Sequence, residues 1–359
     1  MKTQLPISGR HTIGVDLGDQ RSHLCVLDAA GQVASESTIP TSPAAFRKHF
    51  LSLPSALVAL EVGPHSRWAS ELLAGLGHEV LVANAGKVSL IHQSDRKNDR
   101  LDARHLARLA RVDPSLLSPI THRDGRAQAH LSVIRARDVL VRARTALINC
   151  VRGLVKPTGL QLPSCASAYF PHKVAELIPQ GLLPAVAPLL EQLDSLSNAI
   201  VEYDEQIAHI ARTERPETAQ LTQVTGVGTL TALAFVLTIS DPHRFAQSRQ
   251  VGSYFGLRPK QNQSGESSPQ LGISKAGDHY LRRLLVGSAQ YILGRFGPDT
   301  DLRRWGLRLA ERGGKSAKKR AVVAVARKLA VLLYCLWVTG AVYEPLRNTE
   351  KALLASAAA

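Results

Sequence analysis

Between residues 11 and 83, short apolar runs recur at the spacing of β-strands, and two amphipathic stretches interrupt them. Residues 11–17, 22–28 and 33–39 predict three strands, the last two joined by the turn Ala29-Ala30-Gly31-Gln32. Pro43 after Thr41-Ser42 marks a helix start, with Phe46, Phe50 and Leu51 on one face. Residues 56–61 are apolar up to a final Glu61, the pattern of an interior strand. A second helix is predicted over 66–76, closed by Gly77, and a fifth strand over 78–83. Asn98 is placed to cap a helix from 99 to about 112. A strand meander followed by strands alternating with helices predicts an α/β domain over residues 1–115.

The pattern then changes to long helices. Residues 125–157 carry Leu131, Ile134, Val139, Val141 and Leu147 at helical spacing among Arg135, Arg137, Arg142, Arg144 and Arg152. Residues 158–183, broken by Pro163, Pro171 and Pro179, predict an irregular connector. Residues 184–214 repeat apolar positions near heptad spacing, from Leu189 to Ile207. Together, residues 116–215 predict a helical coiled-coil arm; an internal bundle fits the same pattern. Residues 216–345 predict a mainly α-helical domain, and 346–359 a tail. In that domain Thr225-Gly226-Val227-Gly228 opens a helix through a tight turn whose amides can hold a phosphate, although a plain helix–helix turn has the same form. Residues 256–278 form a Gly/Ser/Gln/Lys-rich loop. Helices follow at 279–294 and about 317–339. The second is preceded by Gly313-Gly314-Lys315-Ser316-Ala317-Lys318-Lys319-Arg320, a run suited to phosphate or to a solvated helix start.

Charge narrows the partners. The 359 residues carry 44 basic and 29 acidic side chains, a net charge of +15, which favours nucleic acid over an anionic membrane surface. No signal peptide is expected in residues 1–10, and Arg327 and Lys328 in the apolar stretch 321–342 favour a buried helix over a membrane span. The four cysteines form no CxxC pair, which predicts reduced thiols in a cytoplasmic protein.

Within this basic chain, four acids stand at informative places. Asp16 lies in the first strand, Glu61 ends the fourth, and Asp99 and Asp102 are three apart, on one face of a helix. Each alone has a plain explanation, Asp99 for example as a first-turn partner of the helix dipole. Together they predict a site for a hard cation, Mg²⁺ or Mn²⁺. Asp19, at an odd offset from Asp16, is expected to point away from it.

The strand meander with Asp16, Glu61 and Lys97-Asn98-Asp99-Arg100-Leu101-Asp102-Ala103 resembles the RuvC/RNase H-like domain of the DEDD transposases, the Piv-type invertase and its insertion-sequence relatives. Gln223–Gly228, Arg244-Phe245, Tyr254-Phe255-Gly256-Leu257-Arg258-Pro259, Ser264-Gly265, Ile273-Ser274-Lys275-Ala276-Gly277 and Leu281–Leu285 resemble that family's C-terminal transposase domain in order and spacing. The resemblance implies Asp16, Glu61, Asp99 and Asp102 as catalytic metal ligands and a serine nucleophile from the second domain. It also implies a structured guide RNA bridging donor and target DNA. Glu61 is followed by Val62-Gly63-Pro64-His65 where relatives more often have a Thr-Gly-Tyr-like turn.

Of Ser264, Ser267, Ser268 and Ser274, Ser264 fits the family's pattern best, and Gly265 beside it leaves room for a phosphodiester. The expectation is a recombinase acting through a covalent phosphoserine as a dimer or tetramer. Arg135, Arg142, Gly226, Gly228, Lys275, Lys315, Lys318, Lys319 and Arg320 are the candidate nucleic-acid contacts. The alternatives are a RuvC-like junction nuclease using metal-ion hydrolysis alone, a Piv-type DNA invertase, and a non-catalytic nucleic-acid-binding protein.

Overall fold

The computed structural model describes residues 11–84, 98–265, 267, 269, 271–314 and 316–349. The chain divides into two compact units, residues 1–122 and 123–359.

The first unit is built on one mixed sheet. Its strands are β1 (Thr12–Leu17), β2 (Arg21–Leu27), β3 (Val33–Pro40), β4 (Leu57–Glu61) and β5 (Glu79–Ala83), in the order β3-β2-β1-β4-β5. β1 runs antiparallel to β2 and parallel to β4, and β5 runs parallel to β4. Side-chain alternation splits the sheet into two faces. Ile13, Val15, Leu24, Val26, Val58 and Leu60 pack on one side with Phe46, Phe50, Ala69 and Leu73 of α1 (Pro43–Phe50) and α2 (Ser66–Gly75). Cys25, Leu27, Leu57 and Ala59 face the other way, toward Ala103, Leu106, Ala107 and Ala110 of α3 (Asp99–Val112).

α3 sits directly on the backbone of β1. A Cβ built on Gly14 would lie 1.9 Å from the Ala103 carbonyl oxygen, so glycine is what lets this helix approach. Asn98 accepts the Arg100 amide and caps α3, as its residue type predicts.

The second unit is helical. α4 (Gly125–Val155) and α6 (Leu183–His209) pair antiparallel. The start of α4 meets the end of α6 through Ala127, Leu131 and Ile207, while Ile148, Val151 and Val155 meet Val186, Leu190 and Leu193 at the far end. Arg137 donates from Nε and Nη2 to both carboxylate oxygens of Asp204 midway.

The connector is more ordered than its prolines predict. Phe170 and Val174 of α5 (Phe170–Val174), with Leu162 and Ile178, complete the core at the far end of the pair. Pro171 stands in the first turn of α5, where a missing N–H costs nothing. Arg152 donates to the carbonyls of Leu162 and Pro163 and stacks on the Phe170 ring.

The remaining helices are α7 (Thr218–Thr222), α8 (Thr229–Ile239), α9 (Gln250–Tyr254), α10 (His279–Leu293), α11 (Asp301–Glu311) and α12 (Ala317–Thr339). α8 is buried along most of its length, and its core includes Leu281, Leu285, Val325, Leu329 and Leu333 of α10 and α12. α12 is long and apolar enough to cross a membrane, but its Val325, Ala326, Leu329 and Leu333 belong to this core, as the charges within it predict. All four cysteines are free.

Candidate active site

Alternation along β1 and β4 decides where the first two acids point. Val15 and Leu60 are register partners facing α1 and α2, so Asp16 and Glu61, one residue on, stand abreast and face the α3 side. Both take part in further polar interactions. Asp102 precedes Ala103, the residue lying over Gly14, and is only 8% exposed. Asp99 lies one turn earlier on α3, beside the same end of β1 and β2.

All four predicted acids therefore share one face of the sheet, at the carboxyl ends of two parallel strands. Their oxygen donors suit a hard divalent cation. Among the described residues, however, no group of three or more His, Cys, Asp or Glu side chains is gathered closely enough to hold an ion.

The strand register places His23 beside Asp16, and a second histidine, His65, follows Glu61 in sequence. His23 is the cross-strand partner of Asp16 on β2, and its Nε2 lies 3.9 Å from Asp99 Oδ2. Its Nδ1 shares a 3.1 Å hydrogen bond with Thr38 Oγ1. His65 occupies the turn after Glu61, where Nδ1 accepts from Trp68 Nε1 at 3.1 Å. That leaves Nε2 to donate to Asp19 at 3.4 Å. Asp19 lies in the turn beyond β1 rather than on an extended strand, so the alternation argument for its direction does not apply.

One carboxylate missed by sequence reasoning fixes α3. Glu36, on β3 and opposite Cys25, accepts from Arg100 and from Nε and Nη2 of Arg104. Its side chain is 12% exposed. The Arg100 hydrogen bond holds its carboxyl below the ordinary value of 4.5. The clamp's contribution is therefore complete above that value and is lost as pH falls through the lowered one. Glu36→Gln is expected to cost about 2 kcal/mol of stability at neutral pH and less in acid, read from urea unfolding across pH. An unchanged midpoint at pH 7 would show that the clamp does not hold the helix.

Ser264 lies in the second unit. Its loop is a ribbon: Lys260 N donates to Gly272 O, and Ser274 N to Arg258 O. At the tip, Ser264 and Ser267 exchange backbone hydrogen bonds around Gly265, which has φ +56°. Ser264 is exposed there. The base is rigid. Arg282, 8% exposed, donates to the carbonyls of Phe255 and Ala276. Gly256 and Gly277 have positive φ, and a Cβ on either would collide with backbone 2.1–2.3 Å away. The glycines and arginine of the Tyr254–Pro259, Ile273–Gly277 and Leu281–Leu285 motifs thus hold the serine loop.

The nucleic-acid candidates divide. Arg135 and Arg142 are ion-paired with Asp278 and Asp138. Gly226, at φ +91°, and Gly228, the N-cap of α8, form the turn that begins that helix. Lys275, at φ +57°, is exposed at the loop base. Lys318, Lys319 and Arg320 are exposed in the first turn of α12, and Lys315 lies outside the described residues.

Profiles of two transposase families match this chain. A DEDD transposase profile of the IS110 type covers residues 13–159, and the "Transposase IS116/IS110/IS902 family" profile covers 218–303. The transposase for insertion sequence element IS1111A of Coxiella burnetii is 32% identical over 333 residues, 90% of this chain and 88% of that one. The chain belongs to the IS110/IS116/IS902 family of insertion-sequence transposases. It is a DNA transposase/recombinase enzyme. A probable family 20 transposase of Pseudomonas aeruginosa is 31% identical over 341 residues, 93% of the transposase described here and 98% of that protein. The pilin gene-inverting protein of Moraxella lacunata is similar over a shorter stretch, 28% identical over 145 residues, 39% of this transposase and 44% of that protein.

Proposed function

We propose that this transposase moves its insertion sequence by metal-dependent DNA strand exchange through a covalent phosphoserine. The observation that carries this reading is the presence of Asp16, Glu61, Asp99 and Asp102 on one face, at the carboxyl end of parallel strands. The sheet order supports a RuvC/RNase H-like domain, and the antiparallel pair α4–α6 supports a coiled-coil arm. Asp16, Glu61, Asp99 and Asp102 would hold Mg²⁺ or Mn²⁺, whose chemistry is to withdraw charge from the scissile phosphate. The Ser264 hydroxyl attacks phosphorus. As its Oγ–P bond forms, one strand P–O bond breaks; the serine loses its proton and the departing strand oxygen takes one up. A DNA hydroxyl then displaces Ser264, restoring the diester without an external energy source.

Arg135, Arg142, Gly226, Gly228, Lys275, Lys315, Lys318, Lys319 and Arg320 would contact nucleic-acid backbone. Strand exchange on two duplexes calls for a dimer or tetramer. The enzyme works in the cytoplasm, with donor DNA, target DNA and a structured guide RNA from its own element.

Purified protein, donor and target DNA and divalent metal, with or without RNA transcribed from the flanks of the gene, test this reading. Recombinant product is expected only with the RNA. Equal yield without it would remove guidance and favour Piv-type inversion.

A further inference from the structure

The second unit contains a cavity of about 780 Å³ between α11, α12 and the segment after α12, outside the loop that carries Ser264. Its walls are pinned. Asp301 accepts from Asn348 N at 2.7 Å and from Thr349 Oγ1 at 2.5 Å, and its own amide donates to Pro345 O at 2.8 Å. Arg304 Nη1 reaches Thr349 Oγ1 at 3.1 Å. Segment 345–349 is thereby fixed as one wall of the cavity.

The lining combines three chemistries. Trp305 and Tyr343 contribute aromatic rings, and Leu332, Cys335 and Leu336 an apolar floor. The two lining carboxylates are already engaged, Asp301 as described and Glu344 with Arg347 at 3.9 Å. Arg308 and Lys328 are exposed cations with no carboxylate partner among the described residues. Lys328 Nζ lies 4.3 Å from the centre of the Trp305 ring, so the indole face is in use as a π surface.

An aromatic ring, an apolar floor and unpaired cations at the mouth suit a flat apolar group joined to an anion. In a basic enzyme that handles nucleic acid, that group is a nucleobase with its phosphate. Bases paired in a duplex cannot present a face to such a pocket, so the ligand must be unpaired.

We propose that this cavity binds one unpaired nucleotide of a single strand, its base against Trp305 and its phosphate met by Arg308 and Lys328. The ammonium that rests on the indole is the one positioned to turn to the phosphate. The inference rests on the reading of the chain as a recombinase, because strand exchange creates unpaired nucleotides and a guide RNA contains them.

The test is fluorescence anisotropy of the full chain with labelled 12-nucleotide single strands of DNA and of RNA, the same DNA with every base replaced by an abasic site, and a 12-base-pair duplex. Trp305→Leu is expected to weaken binding of base-bearing single strands about tenfold and to leave duplex and abasic strand unchanged. Trp305→Phe should retain most of the affinity, and paired Arg308→Ala and Lys328→Ala should weaken both single strands, base-bearing or abasic. A loss confined to DNA or to RNA identifies which strand supplies the nucleotide. Equal loss on all four probes, or no loss with Trp305→Leu, overturns the proposal. Should Trp305→Leu fail to fold, the arginine–lysine pair and Trp305→Phe still decide it. Strand exchange by the unaltered protein is scored separately, so failure of the pocket and failure of the recombinase reading are distinguishable.

Discussion

Asp16→Asn and Asp102→Asn are each expected to lower DNA strand cleavage by about a thousandfold or more while leaving the fold intact. Asparagine keeps the shape of aspartate but removes the charge a divalent cation needs. Asp16 and Glu61 stand abreast at the end of β1 and β4, and α3 brings Asp102 and Asp99 over the same end, so loss of any one charge would leave the proposed donor set incomplete. Cleavage of supercoiled donor DNA across a Mg²⁺ series gives the rate, and thermal unfolding checks the fold. Normal recombination by both variants would remove the metal reading altogether. Restored cleavage at high Mn²⁺ would instead show weakened ion binding, which the account also expects.

Ser264→Ala is expected to abolish strand exchange, by on the order of 10⁵-fold or more, with no covalent protein–DNA species at any time point. The residue is exposed at the tip of a ribbon and lies outside every buried cluster, so the substitution should not alter unfolding. This variant also separates the two nuclease chemistries. A RuvC-like enzyme that hydrolyses with metal ions alone would cut junctions at full rate without the serine. Retained exchange in Ser264→Ala would overturn the serine mechanism, and retained junction cutting without exchange would favour that alternative.

Much of the first unit was legible because its strands obey simple rules. Each predicted strand and helix between residues 11 and 112 is present with ends shifted by a residue or so, and Asn98 caps α3 as its residue type predicts. What period-two patterning does not contain is register. His23 becomes a neighbour of Asp16 only once β1 and β2 are aligned, and Glu36 meets Arg104 across 68 positions. Neither residue belongs to a motif, so no local signal marked them.

The second unit was harder to read. Prolines at 163, 171 and 179 look like breakers, yet Pro171 opens a short helix in a core that closes the α4–α6 pair. Residues 301–311 form α11, which was not predicted, because Leu302 and Trp305 lie among charged residues that dilute the apolar period. The motif glycines at 256 and 277 look like loop flexibility in sequence. In the structure they are points of close backbone contact that hold the serine ribbon rigid at its base.

The proposed reaction needs both the Ser264 nucleophile and the four acids. The most direct measurement of that claim traps the reaction on a nicked donor that cannot religate, digests the protein, and locates the DNA-linked peptide by mass spectrometry. The linkage is expected on Ser264, present with Mg²⁺ and absent in Asp102→Asn. Efficient cleavage with no adduct, or an adduct on any other residue, would contradict it.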